Sequence, residues 1–206
     1  MRISEVPGLR VIFGRPLHRL EKMPGGRRGS ASSGSEPCEL IVLALPALAD
    51  GFVDHSQLDE PRSFPTEPPK DTLLREGDVV IQLSPPFSVA LARKQDVGIL
   101  VPSTCAVLRY RDAANPPLHP AYLAAYLALP PVSELMRSKA TGATLQVLTS
   151  AQIGEIDIPL IDTDRQQKLA ELVRAHAEQR RLRREADELE SKMVEAAFAS
   201  VLQEVR

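Results

Sequence analysis

From residue 165 to residue 206 the chain contains neither proline nor glycine. Its residues there are mostly Ala, Leu, Glu, Arg and Gln, the side chains that lose least freedom on entering a helix. Asp162, Thr163 or Asp164 is placed to cap the first turn. One continuous helix is therefore predicted from about 164 to 203, roughly 60 Å long at about 1.5 Å per residue. Such a helix is longer than a domain of this size covers. It is expected to project, with 164–206 as a spacer helix and 1–163 as the domain it leaves.

Within the helix, Leu172, Ala175, Gln179, Leu182, Ala186, Leu189, Met193 and Ala196 alternate three and four residues apart. That is the seam of a coiled coil. The seam is thin, because it uses Ala repeatedly and one Gln, so a partner helix has to add surface. After Met193 the apolar set widens to Val194, Ala197, Phe198, Val201 and Leu202. The helix end is thus expected to pack on more than one helix. The charges from Gln179 to Glu190 read mostly as a solvated face.

The rest of the chain has the opposite character. Its prolines, 18 in the whole sequence, crowd the first two-thirds and favour loops and short strands over helices. Residues 24–37, PGGRRGSASSGSEP, bury little and read as a mobile loop. CELIVLALPAL reads as a buried strand ending near Pro46, and Asp50-Gly51 as a turn. LLREGDVVIQL, Leu73 to Leu83, reads as strand–turn–strand about Gly77-Asp78. Val97 to Tyr110 gives further strand, broken at Pro102. AYLAAYLAL is helical behind Pro120, and VSELMRSKA resumes the helix after Pro130-Pro131. TLQVL is extended, Ser150 caps a turn at AQIGEI, and DIPLI is extended again. The expected fold class is α+β: a mixed, strand-containing domain followed by one long C-terminal coiled-coil helix.

Composition narrows the chemistry. Hydrophobic residues reach 43%, so a core forms, but aromatics are 4% and Trp is absent. The core must rest on Leu, Ile, Val and Ala. Cys38 and Cys105 are too few for a disulfide framework and lack metal-ligand spacing. No apolar run approaches the ~18 residues of a membrane span, and the N-terminal residues do not form a signal peptide, so a cytoplasmic protein is expected. His18, His55, His119 and His176 are scattered, and no nucleophile elbow, carboxylate pair or phosphate loop stands out. Asn115-Pro116-Pro117-Leu118 approaches the loop that amino-methyltransferases of DNA use, but Leu118 cannot stack a flipped base as an aromatic would. A proline-rich linker is the simpler reading, and neither metal nor catalytic residues are expected.

Three stretches resemble the specificity subunits of type I restriction–modification systems. They are Glu39 to Leu58, Leu74 to Leu83, and above all Leu108 to Val173. The last contains LHPAYLAAYL, TGATLQVLTSAQIGEIDIPLI and DRQQKLAELV. Gly142, Leu148, Ile153, Ile158, Pro159, Leu160 and Gln166 match the family's pattern in place, whereas Ile161-Asp162 stands where a second Pro is usual. The family has a target recognition domain followed by a long conserved helix, twice in a full subunit and once in half-length versions. The resemblance implies a half-length, non-catalytic subunit that reads one half of a bipartite DNA site. Its helix would pair with itself or with a second half subunit and dock a DNA methyltransferase subunit. That partner would bring S-adenosylmethionine, and a restriction nuclease subunit would join in systems that have one.

Under that implication, the candidate DNA-binding residues begin with the densest basic cluster, Arg15, Arg19, Lys22, Arg27 and Arg28. Arg93, Lys94, Arg137 and Lys139 follow as phosphate contacts. Thr144 and Gln146, on one face of their segment, are placed to reach base edges. The formal net charge of −2 is unusual for a stand-alone DNA binder and suggests that affinity is shared with another subunit. A rival reading follows from the same charge: a regulator or decoy that binds the methyltransferase without reading DNA.

Overall fold

The computed structural model describes residues 1–21, 37–48, 51–65, 67–112, 116–142 and 146–204. The expected loop at 24–37, apart from Pro37, lies outside the described residues. So do Lys22, Arg27, Arg28, Asn115 and Thr144.

The domain is built on a four-stranded antiparallel sheet of β1 (Leu9–Phe13), β6 (Cys105–Tyr110), β4 (Val79–Gln82) and β5 (Val89–Leu91), in that spatial order. Every residue of β4 and β6 is buried. That is why Val79-Val80-Ile81 and Cys105-Ala106-Val107-Leu108 read as continuous apolar runs and not as alternating ones. Successive side chains point to opposite faces. Val79, Ile81, Ala106 and Leu108 face a layer of helices, α2 (Pro120–Leu127), α3 (Pro130–Lys139) and α4 (Ser150–Gly154). Val80, Cys105 and Val107 face a second core made by irregular chain, with Leu43, Leu48, Val53, Leu74 and Ile99. A short helix α1 (Leu17–Glu21) and a small antiparallel pair, β2 (Cys38–Leu40) with β3 (Arg62–Phe64), lie beyond it.

Several local expectations are corrected. CELIVLALPAL is not one strand: β2 ends at Leu40, Val42 makes an isolated parallel bridge to Leu100, and Leu45–Leu48 coil into a 3-10 turn at Pro46. Only the second half of LLREGDVVIQL is a strand, while Leu73 makes a lone bridge to Leu100. The described residues of TLQVL form no named strand: Val147 makes an isolated bridge to Thr141 and Leu148 N donates to Leu83 O. Thr149, not Ser150, caps α4: its Oγ1 accepts from Gln152 N at 3.3 Å, and Gln152 Oε1 accepts from Thr149 N at 2.8 Å. That reciprocal pair is a capping box, and it outcompetes a single serine.

One polar cluster is sealed into the second core. Arg109 Nε and Nη2 donate to the two carboxylate oxygens of Asp78 at 2.8 and 2.6 Å. The same guanidinium donates to the carbonyls of Asp71 and Leu73 at 3.1 and 2.7 Å, and Asp78 accepts from Arg75 N at 2.7 Å. Asp78 and Arg109 are 1% and 6% exposed, and this forked pair ties β6 to the turn ahead of β4.

The helix α5 (Thr163–Glu204) runs as one element of 42 residues. No helix among the described residues is long and apolar enough to cross a membrane.

Candidate nucleic-acid and partner interface

Gly14 decides where the first basic candidate sits. A Cβ there would lie 2.1 Å from the carbonyl oxygen of Pro102, so only glycine lets β1 run this close to the 102–104 turn. Arg15 follows, with its amide donating to Val101 O at 3.1 Å and its carbonyl accepting from Ser103 N at 3.0 Å. Its side chain is exposed. Leu83 N donates to Thr104 O, and Leu148 N donates to Leu83 O, both at 2.9 Å. These bonds gather Arg15, the 102–104 turn, the β4–β5 turn and the segment from Gln146 to Leu148 at one end of the sheet.

The β4–β5 turn at this end is held from inside. Phe87 has a φ of 61° yet is 1% exposed, so its ring anchors the turn in the core. Gln82 Nε2 donates to Pro85 O at 3.3 Å and Ser133 Oγ to Pro86 O at 3.1 Å, the latter from α3. Ser84-Pro85-Pro86-Phe87 has the aromatic that 115–118 lacks, but a sealed ring cannot stack on a base. Leu118 is likewise fully buried.

The candidates divide into separate groups. Arg15 and Gln146 share the turn end of the sheet with exposed side chains, and Arg19 follows on α1. Arg137 is exposed on α3, while Lys139 is half-buried and donates to Glu155 at 3.1 Å. Arg93 and Lys94 lie at the opposite end, beyond Leu91. Arg93 is committed to the fold: Nη2 donates to Val53 O at 2.8 Å and its guanidinium lies 5.2 Å from the Phe52 ring centre. Its amide donates to the fully buried Asp96 at 2.6 Å, which also meets His55 Nε2 at 2.6 Å. Ser103 and Thr104 were not singled out in the sequence, although Pro102-Ser103 is a turn signal, and both are exposed beside Arg15.

The long helix leaves from that opposite end. Gln166, 2% exposed, fastens its first turn: Oε1 accepts from His119 N at 2.7 Å, and Nε2 donates to Ile161 O at 2.9 Å and Pro117 O at 3.4 Å. His119 Nδ1 in turn caps α2 by accepting from Ala121 N. Tyr122 Oη donates to Pro159 O at 2.9 Å, and burial raises its pKa. Gln166, Ala170, Val173 and Ala177 turn toward the domain. Between α5, α2, Phe52 and Leu91 runs a groove of about 530 Å³ floored by Ala121, Ala125 and Val173.

All eight seam residues, from Leu172 to Ala196, are exposed. They centre about 160° around the helix from the docked face. The helix therefore presents one stripe to its own domain and the other to solvent. Val194 and Phe198 are 55% and 68% exposed near the far end. Arg181 bonds both Glu178 and Glu185 along the surface, and its guanidinium holds the Glu178 carboxyl below the usual range. Among the described residues no group of His, Cys, Asp and Glu is arranged to hold a metal ion.

No protein-family model matches the chain, and no curated protein matches it. Solved structures do. The crystal structure of the HsdS subunit from Thermoanaerobacter tengcongensis matches at a TM-score of 0.50 and 20% identity, over 87% of this chain and 37% of that one. A chain from a study of complex assembly and conformational transition of the type I restriction–modification system matches at 0.50 and 21% identity, over 90% and 43%. The S subunit of the type I system of M. genitalium matches at 0.50 and 15% identity, over 84% and 37%. The chain thus has the fold of these subunits and spans less than half their length.

Proposed function

We propose that the chain is a half-length specificity subunit, which reads one half of a split DNA site for a type I restriction–modification complex. The observation that carries this reading is a separation. An exposed end bearing Arg15, Ser103, Thr104 and Gln146 lies at one end of the sheet, and the long helix leaves from the other. Phosphate contacts from Arg15 and Arg19 would set the domain on the duplex, and Gln146 would reach a base edge. The helix would hold this reader at a fixed distance from a second one and dock methyltransferase subunits, with Val194 and Phe198 exposed for that purpose. Chemistry and S-adenosylmethionine belong to those partners, so the chain itself is not an enzyme. A net charge of −2 fits a reader whose affinity is shared.

The same charge favours a second reading, a regulator that occupies the methyltransferase without reading DNA. Affinity purification from native cells, followed by mapping of methylated bases on random DNA, separates the two. A co-purifying methyltransferase that marks one split motif supports the specificity subunit. A co-purifying methyltransferase that marks none supports the regulator, and the absence of any methyltransferase overturns both.

A further inference from the structure

Aromatic side chains are scarce in this protein, and the domain covers nearly all of them. Phe64 and Phe87 are sealed, Tyr110 and Tyr122 are buried, and Phe52 and Tyr126 are half-buried. Phe13 is the exception. It is 39% exposed, and among the described residues it is the only exposed aromatic of the domain. A single exposed apolar residue carries no meaning by itself. The place of this one does.

Phe13 closes β1 and pairs with Ala106. Val11 packs into the helix-side core and Ile12 into the other, so alternation turns Phe13 to the helix side. The next residue is Gly14, which admits no Cβ against Pro102 and whose amide donates to Cys105 O at 3.0 Å. The ring therefore stands on a fixed strand and not on a loop. Arg15 is two residues on, with exposed Ser103 and Thr104 beside it. Helix α4, which follows directly on the segment from Gln146 to Thr149, packs against β1. Phe13, Arg15 and Gln146 thus belong to one corner of the sheet.

Charge at this corner says what kind of surface it fits. The whole chain carries 27 acidic residues against 25 basic ones. The segments that meet here, 13–19, 83–88, 102–104 and 146–149, contain Arg15 and Arg19 and no Asp or Glu. A polyanion approaches them without repulsion and meets two arginines. An apolar ring among such groups has one apolar feature to meet on the major-groove edge of a duplex, the 5-methyl group of thymine. A ring more than half covered is too shallow to wedge between base steps, as minor-groove side chains do. It is deep enough to cover a methyl group.

Resting on the specificity-subunit reading, we propose that Phe13 contacts the 5-methyl group of a thymine in the half-site, close to the base edge that Gln146 reaches. The half-site then contains at least one A·T pair read through an apolar contact, and Phe13 is a specificity-determining residue.

The test starts from the affinity-purified complex and the motif it methylates. Duplexes bearing that motif are made with each thymine replaced in turn by deoxyuridine, which pairs identically and lacks only the methyl group. Binding is compared at one salt concentration. At one position in a half-site, deoxyuridine should weaken binding by roughly three- to fivefold, as for the loss of one buried methyl-sized group. The complex rebuilt with Phe13→Ala should no longer distinguish the two duplexes, and Phe13→Leu, which keeps an apolar tip, should restore part of the difference. Circular dichroism checks that both variants keep the fold. Neither should alter the salt dependence of binding, whereas Arg15→Ala should reduce its slope by about one. A difference that persists in full in both Phe13 variants would assign the methyl group to another residue and overturn the proposal. A marked motif in which no deoxyuridine has an effect would also overturn it and leave the specificity reading standing. A complex that marks no motif would overturn both.

Discussion

The sheet domain and the outer half of the long helix satisfy opposite conditions. In the domain, β4 and β6 are buried on both faces, and the buried side chains of Asp78, Arg109 and Gln166 are hydrogen-bonded within the chain. Beyond Arg181 every described side chain of the helix is exposed. Both regions carry apolar residues at regular spacing. Only one of them has found its complement within the chain. Periodicity alone therefore does not tell a core from an interface, and what distinguishes them is whether the same chain supplies the other side.

This contrast is broken most severely at the buried ion pair. Replacing Asp78 by Ala leaves the Arg109 guanidinium charged and without its partner, at an expected cost of ~3–5 kcal/mol. Urea titration followed by tyrosine fluorescence should show the domain losing most of its stability, while far-UV circular dichroism retains part of the α5 signal. Loss of α5 at the same midpoint would mean that the two regions are one cooperative unit.

Gln166→Ala acts at the junction. It leaves His119 N and the Ile161 carbonyl without their present partner, a loss of about 1–3 kcal/mol. Hydrogen exchange should quicken in the first turns of α5 and around His119, with the sheet unchanged. Unaltered protection there would show that the clamp is dispensable. Leu182→Glu, on the exposed seam, should shift domain stability by no more than ~0.5 kcal/mol. It should still weaken the helix pairing that the proposed function calls for, read as a fall in sedimenting mass, and a large fall in melting temperature without a change of mass would reverse the assignment of the two faces.

The smallest effect is chemical. Burial pushes the Cys105 thiol up to about 12, whereas Cys38 is only half-buried. A thiol reagent at neutral pH should modify Cys38 first and reach Cys105 only on unfolding. The sign for stability follows: the unfolded thiol ionises near its ordinary pKa of about 8.5 and the folded one does not. Cys105 thus leaves stability untouched below that value and subtracts from it as pH rises from there towards 12.

How much of this was legible depended on where the decisive contacts lie in the chain. The helix was readable because its causes are local: an unbroken run of helix formers and a cap at its start. It begins at Thr163 and ends at Glu204, close to the expected limits. Gln166 was noticed only through resemblance, since its meaning comes from Pro117 and His119, far away in sequence. Strands β1 and β5 went unread: Leu9–Phe13 and Val89–Leu91 are too short for a pattern and are fixed by their neighbours β6 and β4. CELIVLALPAL was over-read for the converse reason, because a short apolar run is as compatible with irregular core as with a strand. At the site, Arg15 and Arg19 could be singled out as basic residues, but not that Arg93 spends its donors on Val53 and Asp96.

The clamp at Gln166 has a geometric consequence for the length of α5. Because the domain is fixed to the root of a rigid helix, each residue inserted into the spacer moves the domain by about 1.5 Å and also turns it by about 100° around the axis. Distance and bearing are coupled, so lengths in between would turn the exposed sheet end to a different side of the helix axis. Variants of this architecture can be respaced only in steps close to whole turns, so under the proposed function the reach of the reader would be granular where a flexible tether would make it continuous.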